Sequence, residues 1–195
     1  MKTICVFCGS SDNIHPEFKQ MGRLMGRVLA ENGLRLVFGG GRSGMMGAVA
    51  DGVLQAGGEA TGVLIESMNI PAIVHPGITQ LEVFPNMHER KARMYMLSDA
   101  FIAMPGGLGT FDELFETFTW SQIGVHEKPV GLLNVRGYFN PLLAMLEHAE
   151  REGFVFAEHR QMLLNAAEPQ ALLDALTTYQ HPREAARRWM RLDEK

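Results

Sequence analysis

The chain has 195 residues, 46% hydrophobic and 21% charged, which suits one globular domain with a full core. A net charge of −4 offers nucleic acid no general basic field, and no apolar run is long enough to cross a bilayer. Residues 1–10 lack the basic start and long apolar stretch of a signal peptide, so a cytoplasmic protein is expected.

Lys2 to Cys8 reads as a buried first strand that ends in the polar turn Gly9-Ser10-Ser11-Asp12. Cys5 and Cys8 have Cys-x-x-Cys spacing. Residues three apart on a strand point to opposite faces, however, so they are read as structural thiols rather than a redox pair. The histidines show no paired metal-ligand spacing. Pro16 opens a helix to about Asn32, with Phe18, Met21, Leu24, Met25, Val28 and Leu29 on its apolar period.

Leu34 to Phe38 is a second strand and runs directly into the glycine-rich stretch Gly39 to Gly47, followed by a helix over 45–56. Gly39, Gly41 and Gly44 satisfy Gly-x-Gly-x-x-Gly, the dinucleotide fingerprint. The acidic residue that should close the next strand is misplaced: Glu59 comes before that strand and Glu66 comes late. The stretch also lacks the Gly-Lys-Ser/Thr ending of a triphosphate loop. It is therefore read as a second phosphate- or sugar-contacting loop, with Gly41 and Ser43 as candidate contacts beside Ser10 of the first turn. NAD binding is the weaker alternative.

Ala60 to Ile65 is a third strand, and residues 66–78, with two prolines and no period, form a loop. A short strand over 79–84 precedes a helix that begins near Asn86 and carries Arg90, Lys91 and Arg93. These three form either a solvated cationic face or a set of ligand contacts.

Residues 100–119 read AFIAMPGGLGTFDELFETFT: a strand, a glycine turn, then a helix with Phe111, Leu114, Phe115 and Phe118 on one face. Backbone N–H groups and a helix N-terminus converge on an anion in such a turn, and glycines keep side chains out of the way. Thr110 and Glu113 have capping-box spacing, so Glu113 is either a cap or a chemical carboxylate facing the sugar of a bound nucleotide. A strand over 129–133, a helix over 138–151, a short strand over 161–165 and a helix over 169–179 complete the order.

Strands and helices alternating in this way give a single-domain α/β fold. It is expected to be an open, mainly parallel, Rossmann-like sheet with helices on both faces. The domain is taken as 1–180, followed by a basic helical tail over 181–195 read as solvated or subunit-contacting. Strand ends at Gly9-Ser10, Gly39–Gly47 and Gly106–Thr110 would then line one crevice outside the carboxyl ends of the strands. That convergence points to a nucleotide or sugar phosphate.

At these residues the chain resembles the Lonely Guy family of cytokinin-activating phosphoribohydrolases. The family signature Pro-Gly-Gly-x-Gly-Thr-x-x-Glu stands here at residues 105–113, and Arg-Lys-x-x-Met stands at residues 90–94. The stretch 39–47 and the segment EKPVGLLNVRGYF at 127–139 are also similar to family sequence. The resemblance implies hydrolysis of the N-glycosidic bond of a nucleoside 5′-monophosphate, AMP or isopentenyladenosine monophosphate, to free base and ribose 5-phosphate. It further implies a homodimer with the site near the subunit contact, and neither metal nor organic cofactor. Carried over by position, Arg90 and Glu113 match the catalytic pair. Lys91, Gly107, Leu108, Gly109, Thr110, Phe111, Asp112 and Thr119 match nucleotide-contacting positions. Met45, Met46, Met87, Met94 and Phe111 are candidates for an apolar pocket around an N6 tail, against a plain core role. The rival readings are a non-catalytic nucleotide sensor, an NAD-linked oxidoreductase, and the lysine decarboxylase label attached to this family. The last would need pyridoxal phosphate on a lysine, and only Lys91 lies near the motifs.

Overall fold

The computed structural model describes residues 1–182; of the basic tail expected over 181–195, residues 183–195 lie outside the described residues. The strands are β1 (Thr3–Phe7), β2 (Arg35–Phe38), β3 (Ala60–Ile65), β4 (Gln80–Phe84), β5 (Ala100–Ala103), β6 (Val130–Leu133) and β7 (Leu163–Ala166). They form one sheet in the order β4-β3-β2-β1-β5-β6-β7, and every pairing is parallel. The sheet is thus wholly parallel where a mainly parallel one was expected.

The helices are α1 (Pro16–Glu31), α2 (Gly44–Gln55), α3 (Met87–Leu97), α4 (Leu108–Gln122), α5 (Asn140–Arg151), α6 (Ala157–Gln161) and α7 (Pro169–Thr178). Alternate residues of each strand feed two cores, as the pleat dictates. Ile4 and Val6 of β1 pack with Met25, Leu29, Val49 and Leu172 under α1, α2 and α7. Cys5 and Phe7 pack with Met94, Leu114, Phe118 and Leu146 under α3, α4 and α5. Cys5 and Cys8 are free, buried and divided between the two cores. Burial pushes both thiols above their ordinary range, which removes them as thiolate nucleophiles.

Three local expectations shift. The helix expected from Tyr138 begins at Asn140, because Arg136 and Gly137 both adopt positive φ (55° and 69°) and turn the chain first. The strand expected over 161–165 becomes Leu163–Ala166, since residues 157–161 form α6, a helix too short to show an apolar period. The loop over 66–78 opens with a 3₁₀ turn at Glu66–Met68 and is tied down. Arg42 N–H donates to the Ile73 carbonyl (2.8 Å), His75 N–H donates to the Gly40 carbonyl (2.9 Å), and Gly41 bridges Val74.

Candidate active site

The chain leaves β1 and β2 for one face of the sheet and β5 for the other, so the order reverses between β1 and β5. In an open parallel sheet, that reversal opens a crevice at the carboxyl ends. Two hydrogen bonds stitch the ends together there: Gly9 N–H to the Pro105 carbonyl (3.0 Å) and Met104 N–H to the Phe7 carbonyl (2.8 Å). Above them lies a cleft of about 540 Å³, within the usual range of small-molecule sites. Ser10, Gly41, Ser43, Arg90, Gly107, Leu108, Gly109, Thr110 and Glu113 all line it.

The turn before α4 is open toward this cleft. Gly107 is the N-cap in extended conformation, and no side chain caps the helix. The N–H groups of Leu108, Gly109 and Thr110 find no acceptor among the described residues. They belong to the first turn, where helical carbonyls are out of reach. With the dipole behind them, these donors suit an anion. The glycines differ in what surrounds them. A Cβ on Gly106 would stand 2.1 Å from Thr110 Oγ1, whereas one on Gly107 or Gly109 would meet nothing within 4 Å.

Thr110 is therefore inside the helix rather than its cap, and the capping box is not formed. Glu113 instead turns inward, where its Oε1 accepts from Arg90 Nη1 at 2.5 Å. Both residues are buried, each 8% exposed. Arg90 is placed by the start of α3, where Asn86 accepts from Glu89 N–H (3.0 Å) and donates to the Glu89 carboxylate (2.8 Å). One turn later the Arg90 Nε donates to the Val63 carbonyl (3.0 Å) within β3. A Cβ on Gly39 would lie 2.8 Å from Arg90 Nη2, so this glycine makes room for the guanidinium. Burial pushes the Glu113 carboxyl above its ordinary value, and the charge and hydrogen bond of Arg90 pull it only part of the way back.

The turn before α2, by contrast, is closed by protein atoms. Gly44 N–H donates to Asp12 Oδ1 (3.0 Å), while Met45 and Met46 N–H both donate to the Gly9 carbonyl (2.9 and 3.2 Å). A hydrogen bond from Lys19, then that from Gly44, holds Asp12 below the usual carboxylate range. An anionic side chain thus stands where a dinucleotide's pyrophosphate would go, and the glycine fingerprint follows β2 rather than the first strand. Both features weigh against NAD. This loop serves as a cleft wall carrying Arg42, a residue that sequence reasoning did not single out.

Five expected contacts lie off the cleft: Lys91, Arg93, Phe111, Asp112 and Thr119. Lys91 reaches to Asp112 (3.1 Å) and Glu116 (2.9 Å) on the outer side of α4. Burial works against its charge, but Glu116 and Asp112 outweigh that and hold the ammonium above its ordinary value, the wrong direction for a Schiff-base lysine. Phe111 stacks on Tyr138, with centroids 6.5 Å apart. Thr119 is exposed, ten residues beyond Gly109 and so about 15 Å further along α4. Arg93 pairs with Glu82 (2.6 Å) and faces β4. Of the suggested tail pocket, Met46 and Met87 line the cleft. Met45 and Met94 are core residues, 1% and 2% exposed. Leu64, Met68, Ala72 and Ile73 complete the apolar wall. The last three come from the 66–78 loop, whose lack of any period gave no sign of this role.

The family model described as "Possible lysine decarboxylase" matches residues 46–176. A probable cytokinin riboside 5′-monophosphate phosphoribohydrolase of Oryza sativa subsp. japonica is 44% identical over 176 residues, covering 90% of this chain and 79% of that protein. The cytokinin riboside 5′-monophosphate phosphoribohydrolase of Rhodococcoides fascians is 46% identical over 164 residues, covering 84% and 83%. Among solved structures, the molybdenum cofactor binding protein of Rippkaea orientalis superposes with a TM-score of 0.69 at 22% identity, covering 91% of this chain and 97% of that one. That likeness is one of fold. With the family model spanning most of its length and relatives this close on either side of the plant–bacterium divide, the chain belongs to the Lonely Guy family of cytokinin riboside 5′-monophosphate phosphoribohydrolases.

Proposed function

We propose that this protein hydrolyses the N-glycosidic bond of adenosine 5′-monophosphates, with or without an N6 substituent, releasing the free base and ribose 5-phosphate. The observation that carries this reading is the buried Glu113–Arg90 pair, one helical turn (about 5 Å along the axis) below three unclaimed N–H groups. A 5′-phosphate on Leu108, Gly109 and Thr110 sets the ribose over Glu113. As the bond to the base lengthens, positive charge grows on the sugar carbon. The Glu113 carboxylate stabilises that charge and accepts a proton from the attacking water. The net step places the water's hydroxyl on C1′ and its hydrogen on the departing base. Arg90, held by Val63 and Met87 as well as Glu113, keeps the carboxylate aimed at the cleft. The apolar wall of Met46, Leu64, Met68, Ala72, Ile73 and Met87 accommodates an N6-isopentenyl tail, and AMP would leave it unused.

The functional unit in this reading is a homodimer. Thr119 lies too far along α4 to reach its own cleft, so a nucleotide-contacting role for it requires the partner's cleft. Exposed apolar side chains at Met145 and Phe154 support such a contact. Chromatography of AMP and isopentenyladenosine monophosphate after incubation with the pure protein tests the activity. Free base from either nucleotide is expected, with the isopentenyl substrate faster. Nucleotide bound but recovered intact would turn the reading to a sensor.

A further inference from the structure

Tyr138 is not among the residues that line the cleft; it lines a smaller cavity of about 330 Å³ beside the glycine-rich turn, with Pro105, Gly106 and Gly107. Arg136 is the only non-glycine residue with positive φ among the described residues, and Gly137 follows with another. A side chain disfavours that conformation, so the turn is held against local preference. Arg136 is anchored by a 2.5 Å hydrogen bond to Glu17 on α1. The consequence is the position of Tyr138. Its ring lies nearly parallel to that of Phe111 in α4 (7° between planes) and edge-on to Phe18 and Phe139. Its hydroxyl donates to the Gly106 carbonyl at 2.5 Å.

That carbonyl shares a peptide unit with the N–H of Gly107, the residue that caps α4, and this N–H, like the three that follow it, finds no acceptor among the described residues. A donor on the oxygen fixes the plane of the unit and polarises it, making the N–H a stronger and better-aimed donor. The preceding carbonyl, that of Pro105, accepts from Gly9 N–H (3.0 Å). The turn is therefore gripped on two consecutive carbonyls, leaving its N–H groups to face the cleft.

We propose that Tyr138 is a positioning residue for phosphate recognition, acting through the Gly106–Gly107 peptide and touching no substrate itself. The inference rests on the reading of this turn as the 5′-phosphate site. The segment around Tyr138 belongs to the 127–139 stretch, to which the proposed chemistry assigns no other task.

Tyr138→Phe removes the hydroxyl and keeps the ring contacts. Calorimetry on the full chain is expected to show ribose 5-phosphate binding three- to tenfold more weakly, with adenine affinity unchanged. Tyr138→Leu, which also loses the ring, is expected to weaken ribose 5-phosphate further. Wild-type ribose 5-phosphate affinity in Tyr138→Phe overturns the proposal. So does an equal loss of adenine affinity, the mark of a merely structural role. Both readouts are independent of turnover. A wild-type protein that binds ribose 5-phosphate but releases no base would sink the hydrolase reading and leave the Tyr138 test standing.

Discussion

Glu113→Gln separates charge from shape at the centre of the site. Glutamine retains an oxygen where Arg90 Nη1 now donates at 2.5 Å, so the packing around the pair is preserved. Two stability terms then oppose each other. Arg90 loses its counter-charge while buried, and weakening a charged hydrogen bond of this kind costs about 1.5–3 kcal/mol. Against that, burial raises the Glu113 pKa, and the sign of that shift matters. A carboxyl raised on folding contributes stability below its unfolded pKa and loses it as pH rises through the folded value. At neutral pH the ionised carboxylate is therefore a cost, which glutamine removes. A net change within about 1–2 kcal/mol is expected, too small to abolish folding. Activity carries no such compensation. Losing a carboxylate that takes up a proton in the transition state costs about 10²- to 10⁴-fold. At about 1.36 kcal/mol per decade, that is about 2.7–5.4 kcal/mol of barrier. The assay is single-turnover release of base from AMP, paired with calorimetry of ribose 5-phosphate. Turnover within threefold of wild type, or loss of ribose 5-phosphate binding in step with turnover, would refute the catalytic assignment.

In the proposed mechanism the same carboxyl sets the pH dependence. Because only the ionised form works and its pKa lies above the ordinary 4.5, kcat/KM should fall on the acid side with a midpoint above that value; a midpoint at or below it contradicts the burial argument. Gly109→Ala places a Cβ where no atom of the described residues lies within 4 Å, so unfolding should be unchanged or improved by about 0.4–1 kcal/mol. Its ribose 5-phosphate affinity should nonetheless drop at least tenfold by calorimetry, and retained affinity would move the anion site off this turn. Met46→Gln puts a polar amide in the apolar wall and should lower the rate ratio of isopentenyl nucleotide to AMP; equal losses on both substrates would place the tail elsewhere. Phe101→Ala empties a fully buried position stacked between Phe7 and Tyr95 and should cost about 3–5 kcal/mol in urea unfolding; under 1 kcal/mol would mean the core there can collapse.

Much of the architecture was legible because its signals are local. Apolar runs of strand length alternate with helical periods, and that alternation is sufficient for a parallel sheet with helices on both faces. The gathering of Ser10, Gly41, Ser43 and the 107–110 turn followed from a general property of such sheets. What stayed hidden depends on side-chain direction. Arg90, Lys91 and Arg93 look equivalent in sequence, yet each points to a different partner: Glu113, the Asp112–Glu116 pair, and Glu82. The direction of each is set by where α3 begins, at Met87 after the Asn86 cap, and a boundary error of one residue would rotate the set by about 100°.

The two glycine turns show why motif spacing alone misleads. Gly39–Gly47 carries the better-known fingerprint, yet the N-terminus of α2 is satisfied by Asp12 and the Gly9 carbonyl, both from the loop after β1. The turn over 106–109 matches no dinucleotide spacing, yet its donors are the ones left free among the described residues. The difference lies in the neighbouring strand end rather than in the glycines. After β1 the chain bends toward α2 and delivers a carboxylate there, while at β5 the same loop contributes an N–H to the Pro105 carbonyl and leaves the helix N-terminus clear. In the proposed reading, the anion site depends on three segments together: a turn that frees its donors, a neighbour that does not consume them, and a carbonyl grip that aims them. Only the first is written in the glycine pattern.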